Sequence, residues 1–218
     1  PKNNTNSNEE KEVSLPTDSY VVKRLITGMH FVDGTNIEKA LYVNERTIAK
    51  DLPGDFLDNL LLKEAYRTES NFNEEVKVKD LEQARINLFG KNYEIIIPTD
   101  KEVGSCPVFK YNTEKRSYKR DSSECNITND ISISYDVVEA RIIENKSITI
   151  YEAVAFIKDD KIYKKIDGSN NVSDEVKDVT TDGFNVLDNV KKLNQYKYTF
   201  TYDKDSNNYV FNSIELVK

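Results

Sequence analysis

The chain lacks tryptophan and is poor in several other reactive residues: its 218 residues include one histidine, His30, one methionine and two cysteines. One imidazole and two thiols cannot supply the four Cys and His ligands of a common structural zinc site. No segment approaches the roughly 18 consecutive apolar residues that a membrane-spanning helix requires. The sequence as given therefore contains neither a membrane span nor a zinc site of this type.

Positive charge is also in deficit. The sequence has 31 Lys and Arg against 38 Asp and Glu, which gives a formal net charge of −7. Proteins that bind nucleic acid in general depend on clustered Lys and Arg, because these residues neutralise the phosphates. We therefore predict no nucleic-acid partner.

Catalytic motifs are equally scarce. A nucleophilic enzyme needs a Ser or Cys beside a base that a third group orients, and His30 supplies one of these three elements. We interpret it as a surface or helix-end histidine. The seven glycines are scattered singly, so no glycine-rich loop is present to hold a phosphate. We expect no catalytic residue, no cofactor and no enzymatic activity.

Acidic segments resemble cation sites only in part. The motif Asp203-x-Asp205-x-Asn207 begins like a calcium loop, but Asn208 stands where glycine is expected and Ile214 where a bidentate Glu is required. The acidic stretch from Asp167 to Asp182 is typical of a solvated loop. We predict no metal site in either segment.

The first residues have the composition of a tether. Pro1 to Glu12 contain no apolar residue beyond the proline, so they cannot offset the entropy of ordering. Such a leader commonly follows a removed signal peptide or an N-terminal anchor, and an ordinary disordered terminus is the alternative. We expect residues 1–16 to form a disordered tether. Residues 17–218 contain no Pro- or Gly-rich linker, and we expect a single domain there.

The two cysteines indicate a compartment. The chain has an even number of cysteines, Cys106 and Cys125, and polar, loop-like residues flank both. This pattern favours a disulfide over two unrelated buried thiols. Such a ring contributes about 3 kcal/mol to stability in the chain-entropy model. A persistent disulfide requires an oxidising environment. We therefore predict an extracellular protein, tethered to the cytoplasmic membrane by a lipid or helical anchor in a segment absent from this sequence.

Helical periodicity dominates the first half of the chain. Val22, Leu25, Ile26 and Met29 follow the i, i+3, i+4, i+7 spacing of a buried helical face. A second helix is predicted over residues 51–66, where Pro53 suits the first turn. A third is predicted from about Lys79 to Phe89, with Gly90 as its left-handed cap.

Beyond Tyr93 the hydrophobic period changes from 3.6 to 2, which predicts strands. They cover residues 93–97, 108–111, 117–120, 131–143, 148–158, 161–166, 196–202 and 208–217. Ser169–Gly183 is predicted to be a polar insertion, followed by a short helix. The pattern is α+β: N-terminal helices packed on a curved antiparallel sheet built mainly from residues 93–218. A cystatin-like or nuclear-transport-factor-like cone is the expected architecture.

Two aromatic segments raise the question of ligand binding. Tyr196, Tyr198, Phe200 and Tyr202 share one strand face, which is typical of a core and also suits a ligand platform. Between the cysteines, cations alternate with tyrosines, and such a surface can bind phosphate or an acidic polymer. The candidate binding residues are Lys110, Tyr111, Lys115, Arg116, Tyr118, Lys119 and Arg120. Nearby carboxylates reduce the local charge to +2, and a solvated hairpin is the alternative.

Several short segments suggest a family. They are Asp51-Leu-Pro-Gly-Asp-Phe-Leu57, Leu88-Phe-Gly-Lys-Asn-Tyr93, the cysteine pair, and Tyr198-Thr-Phe200 followed by Tyr209-x-Phe211. In their order along residues 17–218 the chain resembles uncharacterised membrane-tethered extracytoplasmic proteins of low-GC Gram-positive bacteria. The resemblance implies a bacterial surface location and brings no activity or catalytic residue with it.

These observations lead to one principal hypothesis. We expect a non-enzymatic binding or accessory module of a bacterial cell surface, whose partner is another surface protein or a cell-wall component. One alternative is a small-ligand-binding or hydrolytic domain with a pocket between helices and sheet. Another is a structural spacer without a ligand.

Overall fold

Three α-helices, three short 3₁₀ helices and eleven strands make up the regular structure in the described part of the chain. The computed structural model describes residues 11–30, 36–68, 75–94, 97–98, 101–104, 107–123 and 130–217. The helices are α1 (Tyr20–Met29), α2 (Gly54–Thr68) and α3 (Val78–Phe89). The strands are β1 (Val13–Leu15), β2 (Arg46–Ile48), β3 (Val76–Lys77), β4 (Val108–Asn112), β5 (Ser117–Asp121), β6 (Ser132–Ile143), β7 (Ser147–Lys158), β8 (Lys161–Ile166), β9 (Val172–Glu175), β10 (Asn194–Asp203) and β11 (Asn208–Leu216).

All three predicted helices are confirmed. The apolar face of α1 is buried as its spacing requires, and Leu60, Leu61 and Ala65 of α2 are fully buried. Gly90 follows α3 with a φ of +90°, a conformation that costs glycine least because it has no Cβ. Residues 36–51, which have no clear period in the sequence, form two 3₁₀ helices and the short strand β2.

A large antiparallel sheet accounts for most of the second half. Its strand order is β1-β6-β7-β10-β11-β2, with β8 added to β7 and β9 added to β8. The long strand β7 is central: one side pairs with β6 along its length, and the other pairs first with β10 and then with β8. The predicted strands from residue 131 onward are therefore confirmed as antiparallel neighbours.

Three details differ from expectation. Val13–Leu15, inside the predicted tether, pair with β6 as strand β1. Val172–Glu175 form β9 inside the predicted insertion; three of its four residues are polar and exposed, so the segment has no apolar alternation that would predict a strand. Tyr93 and Glu94 lie outside any strand, because the chain turns just after Gly90. Cys106 and Cys125 lie outside the described residues, so the disulfide stays a prediction.

A second, three-stranded sheet contains the predicted hairpin. Its order is β3-β5-β4, and β4 and β5 pair antiparallel as expected from the sequence. Tyr66 of α2 holds the sheet by donating a hydrogen bond to the carbonyl of Tyr118 at 2.9 Å. One cluster of buried apolar side chains connects all three helices, this small sheet and one face of the large sheet.

The other face of the large sheet has its own smaller cluster. Ala153 and Ala155 of β7 are covered there by Val176, Val186 and Leu193. Helices α1 and α3 contact β11. Within the described residues, none of the helices combines the length and apolar character needed to cross a bilayer.

Candidate functional site

The only histidine lies in a group of polar side chains, which we call the buried cluster: His30, Tyr42, Glu152 and Tyr198 are buried, and Tyr135 is half-buried. Nε2 of His30 lies 2.7 Å from Oε1 of Glu152. The hydroxyl groups of Tyr42 and Tyr198 donate to the other carboxylate oxygen at 3.0 and 2.9 Å. The ring of Tyr135 stacks on the imidazole at 3.7 Å between centroids. Two hydroxyl donors and an imidazole nitrogen thus converge on one buried carboxyl group.

Distant elements bring these groups together. His30 ends α1, Tyr42 follows a 3₁₀ helix, and Glu152 and Tyr198 come from the neighbouring strands β7 and β10. The His30 and Glu152 side chains are 2% and 0% exposed, so solvent does not reach their contact. A buried carboxylate is stable only with such partners.

His30 lies at a helix end, one of the two positions expected from the sequence, but it is buried and the surface position is wrong. The sequence pattern does not identify Glu152 or Tyr42, which are 122 and 12 residues away in the chain. One signal for Glu152 is present, however. Alternate residues Ile148, Ile150, Glu152 and Val154 share one strand face, and the three apolar ones mark that face as buried.

The aromatic strand face belongs to the core. Tyr196, Tyr198 and Phe200 are almost completely buried, and Phe200 pairs with Phe211 across the β10–β11 hairpin. Burial raises the pKa of Tyr196 to about 12. The interpretation as core is therefore confirmed for these three residues.

The candidate residues between the cysteines separate into two faces of the small sheet. Lys110 and Lys119 are directly opposite each other on the exposed face. Tyr111 and Tyr118 are opposite each other on the other face, and Tyr118 is fully buried with its hydroxyl donating to the carbonyl of Lys101. The structure thus separates the cations from the tyrosines, because neighbouring strand residues point to opposite sides. Arg120, opposite Phe109, lies on the tyrosine side and is exposed.

Pairing of β3 with β5 adds a cation that the sequence analysis did not include. Lys77 is opposite Ser117 and is exposed, so it shares the face of Lys110 and Lys119. Lys115 and Arg116 lie in the exposed β4–β5 turn at the end of this face. The set of five, called the basic face below, is Lys77, Lys110, Lys115, Arg116 and Lys119.

Carboxylates within the small sheet are bound to some of these cations. Lys110 lies 2.8 Å from Asp121, and its hydrogen bond, with others from Ser123, holds the pKa of that carboxyl well below its usual value. Glu75 accepts hydrogen bonds from Lys115 at 3.1 Å and Ser117 at 3.0 Å, which also lower its pKa. Both carboxyl groups therefore stay ionised in the neutral range.

Acidic residues elsewhere have structural partners. Asp203 accepts hydrogen bonds from the Ser206 hydroxyl and the Lys91 amide, and Asp205 accepts one from Asn92. These contacts join the β10–β11 turn to the loop after α3. In the acidic insertion, Asp174 pairs with Lys165. Among the described residues, no three His, Cys, Asp or Glu side chains are grouped as metal ligands.

Comparisons of the chain with known proteins identified no relative. A scan against protein-family models, a search of curated proteins and a search of solved structures each found no match.

Proposed function

We propose that the chain is a non-enzymatic binding or accessory module displayed outside the cytoplasm of a bacterium, at its cell surface. The observation that carries this proposal is the basic face. Its exposed cations are gathered on one small sheet of a chain whose net charge is −7. A positively charged surface on an otherwise acidic protein attracts an anionic partner and orients it.

The buried cluster supports a non-enzymatic role. His30 is enclosed by the core and stacked beneath Tyr135, while Glu152 already accepts hydrogen bonds from two tyrosines. In this arrangement the acid–base groups hold α1 and the sheet together. A cone of the cystatin-like or nuclear-transport-factor-like kind, with the helices packed on a curved sheet, is part of the proposal.

Two measurements on protein recovered from the source bacterium test location. Surface-accessible protein should be degraded by protease added to intact cells. Its intact mass after alkylation should show no modified cysteine before reduction and two afterwards. Two alkylated thiols without reductant, or protection from the protease, would contradict an extracytoplasmic location.

A retention assay tests binding. Purified protein is mixed with envelopes isolated from the same bacterium and sedimented, with an acidic globular protein of similar size as the control. Saturable retention that the control lacks is the expected result. A protein that stays in the supernatant at low ionic strength would contradict a binding module.

A second candidate is a small-ligand-binding or hydrolytic domain, whose acid–base chemistry would have to come from the buried cluster. The contact of 2.7 Å between His30 and Glu152 lies between helix and sheet, where such a pocket is expected. Ester hydrolysis that disappears in H30Q, with unchanged circular dichroism, would establish this function. Equal background rates for the two proteins would exclude it for the esters tested.

A further inference from the structure

The basic face has two local features that reduce the stability of the small sheet. The first is the direct opposition of Lys110 and Lys119 on β4 and β5. Like charges at directly opposite positions of an antiparallel pair are destabilising, because their Cβ atoms are only about 5 Å apart. Asp121 compensates one member of this pair by its contact with Lys110.

The second feature is the backbone of Arg116. Eight non-glycine residues of the described chain have positive φ: seven are Asn or Asp, and the eighth is Arg116, with φ of 49°. Asn and Asp tolerate this conformation, whereas a longer side chain pays roughly 1 kcal/mol for it. The turn thus presents an arginine where the other such positions carry Asn or Asp.

A shared ligand would compensate the first of these features, the opposition of Lys110 and Lys119. A phosphate group has several acceptor oxygens, so one phosphate can accept hydrogen bonds from two neighbouring ammonium groups and remove their repulsion. Lysines act as point charges on flexible stems, which suits a polymer without rigid geometry. Arg116 at the turn extends the same row of cations beyond the strands.

The position of the aromatic rings limits which anionic polymers the basic face suits. Proteins that bind single-stranded nucleic acid stack bases on exposed aromatic side chains. Here Tyr111 and Tyr118 lie on the side of the hairpin opposite Lys110 and Lys119. Among the described residues of the small sheet, the basic face therefore offers charge without an aromatic platform for bases.

We propose that the basic face binds a phosphate-bearing polymer that has no bases, such as an anionic wall polymer. This inference rests on the proposed binding function and names the ligand class of that site. Five exposed cations stand against Glu75, Glu114 and Asp121, a local balance of +2 on a chain of −7. The basic face thus carries a net positive charge on a chain that is acidic overall.

The test uses the full chain and end-labelled inorganic polyphosphate, with binding followed by fluorescence anisotropy. The double variant K110Q/K119Q should lose affinity by about tenfold at low salt and show a shallower salt dependence, because it forms fewer phosphate contacts. The matched control is K161Q/K165Q, which removes two exposed lysines of β8, each paired with an acid as Lys110 is. Its affinity should stay within about twofold of the wild type.

Arg116 gives an independent measurement. R116G should raise the urea midpoint of unfolding, because glycine adopts positive φ without strain, and should weaken polyphosphate binding. A stability gain without loss of binding would remove Arg116 from the site. Improved stability together with weaker binding is a result that simple damage to the fold does not produce.

Three outcomes would overturn the proposal. They are no binding of polyphosphate by the wild type, equal losses in the two double variants, and equally strong competition by poly-L-glutamate, which would indicate an acidic polypeptide as the partner. Envelope retention tests the binding function separately. If K110Q/K119Q still sediments with envelopes while polyphosphate fails to bind, the module binds its partner elsewhere and only the ligand assignment is wrong.

Discussion

At the residue scale, Glu152 is a tightly constrained side chain of the core. It is fully buried, and His30, Tyr42 and Tyr198 all direct polar atoms at its carboxylate. Removing one member of a buried pair leaves the other without compensation, which costs more than the pair contributes as a whole. The cluster should therefore be sensitive to truncation and tolerant of small changes at its edge.

This sensitivity can be measured by urea unfolding. E152A should lower the free energy of unfolding by about 3–5 kcal/mol, since it leaves His30 and two hydroxyl groups without their acceptor. Y42F removes one hydrogen bond and should cost about 1 kcal/mol. If E152A does not fold, Y42F and Y198F still report on the cluster. Losses well below 0.5 kcal/mol in both would contradict the hydrogen-bonded arrangement.

At the element scale, the C-terminal end of α1 is capped by a lysine from a different helix. Its last turn contains no basic residue, so its own sequence supplies no cation for the negative end of the helix. Lys63 of α2 takes this role: its ammonium group donates to the backbone carbonyls of Thr27, Gly28 and His30. The same contact holds the backbone at His30, and therefore helps to place the imidazole against Glu152.

A lysine of α1 provides the matched control for this cap. K63M keeps most of the apolar stem and should destabilise the protein by about 1–2 kcal/mol, because three carbonyl groups lose a charged donor. K23M alters an exposed lysine on the first helix and should stay within about 0.5 kcal/mol of the wild type. Urea midpoints compare the two. Equal effects would show that Lys63 acts only as a surface charge.

At the scale of the whole molecule, the two sheets share one apolar cluster. Phe109 and Tyr118 of the small sheet belong to the same cluster as Phe56 of α2 and Phe156 of β7. We therefore expect a single unfolding transition in urea, with superimposable curves from near-UV and far-UV circular dichroism. F109A should shift this transition as a whole. A separate early transition for the small sheet would contradict the shared core.

The sequence predicts the elements of this molecule better than its sites, and particular residues show why. The spacing of Val22, Leu25, Ile26 and Met29 is a local signal, and α1 follows it. The contact of His30 with Glu152 is set by which strands become neighbours, and no short segment contains that information. The basic face could be predicted from the sequence only in part. Four of its cations were identified from the sequence, while Lys77 joins them only through the pairing of β3 with β5.

The central position of β7 also determines when this protein can fold during its synthesis. A nascent chain that ends before Asn194 already contains β6 and β7, but the edge of β7 from Ile148 to Val154 has no neighbour until β10 has been made. Helix α1 also lacks one of its partners at this stage, because His30 at its end contacts the hydroxyl of Tyr198, which lies 168 residues later in the chain. Contacts between such distant residues form late, because the intervening chain must first be closed into a loop. Folding is therefore completed only after the final hairpin has left the ribosome.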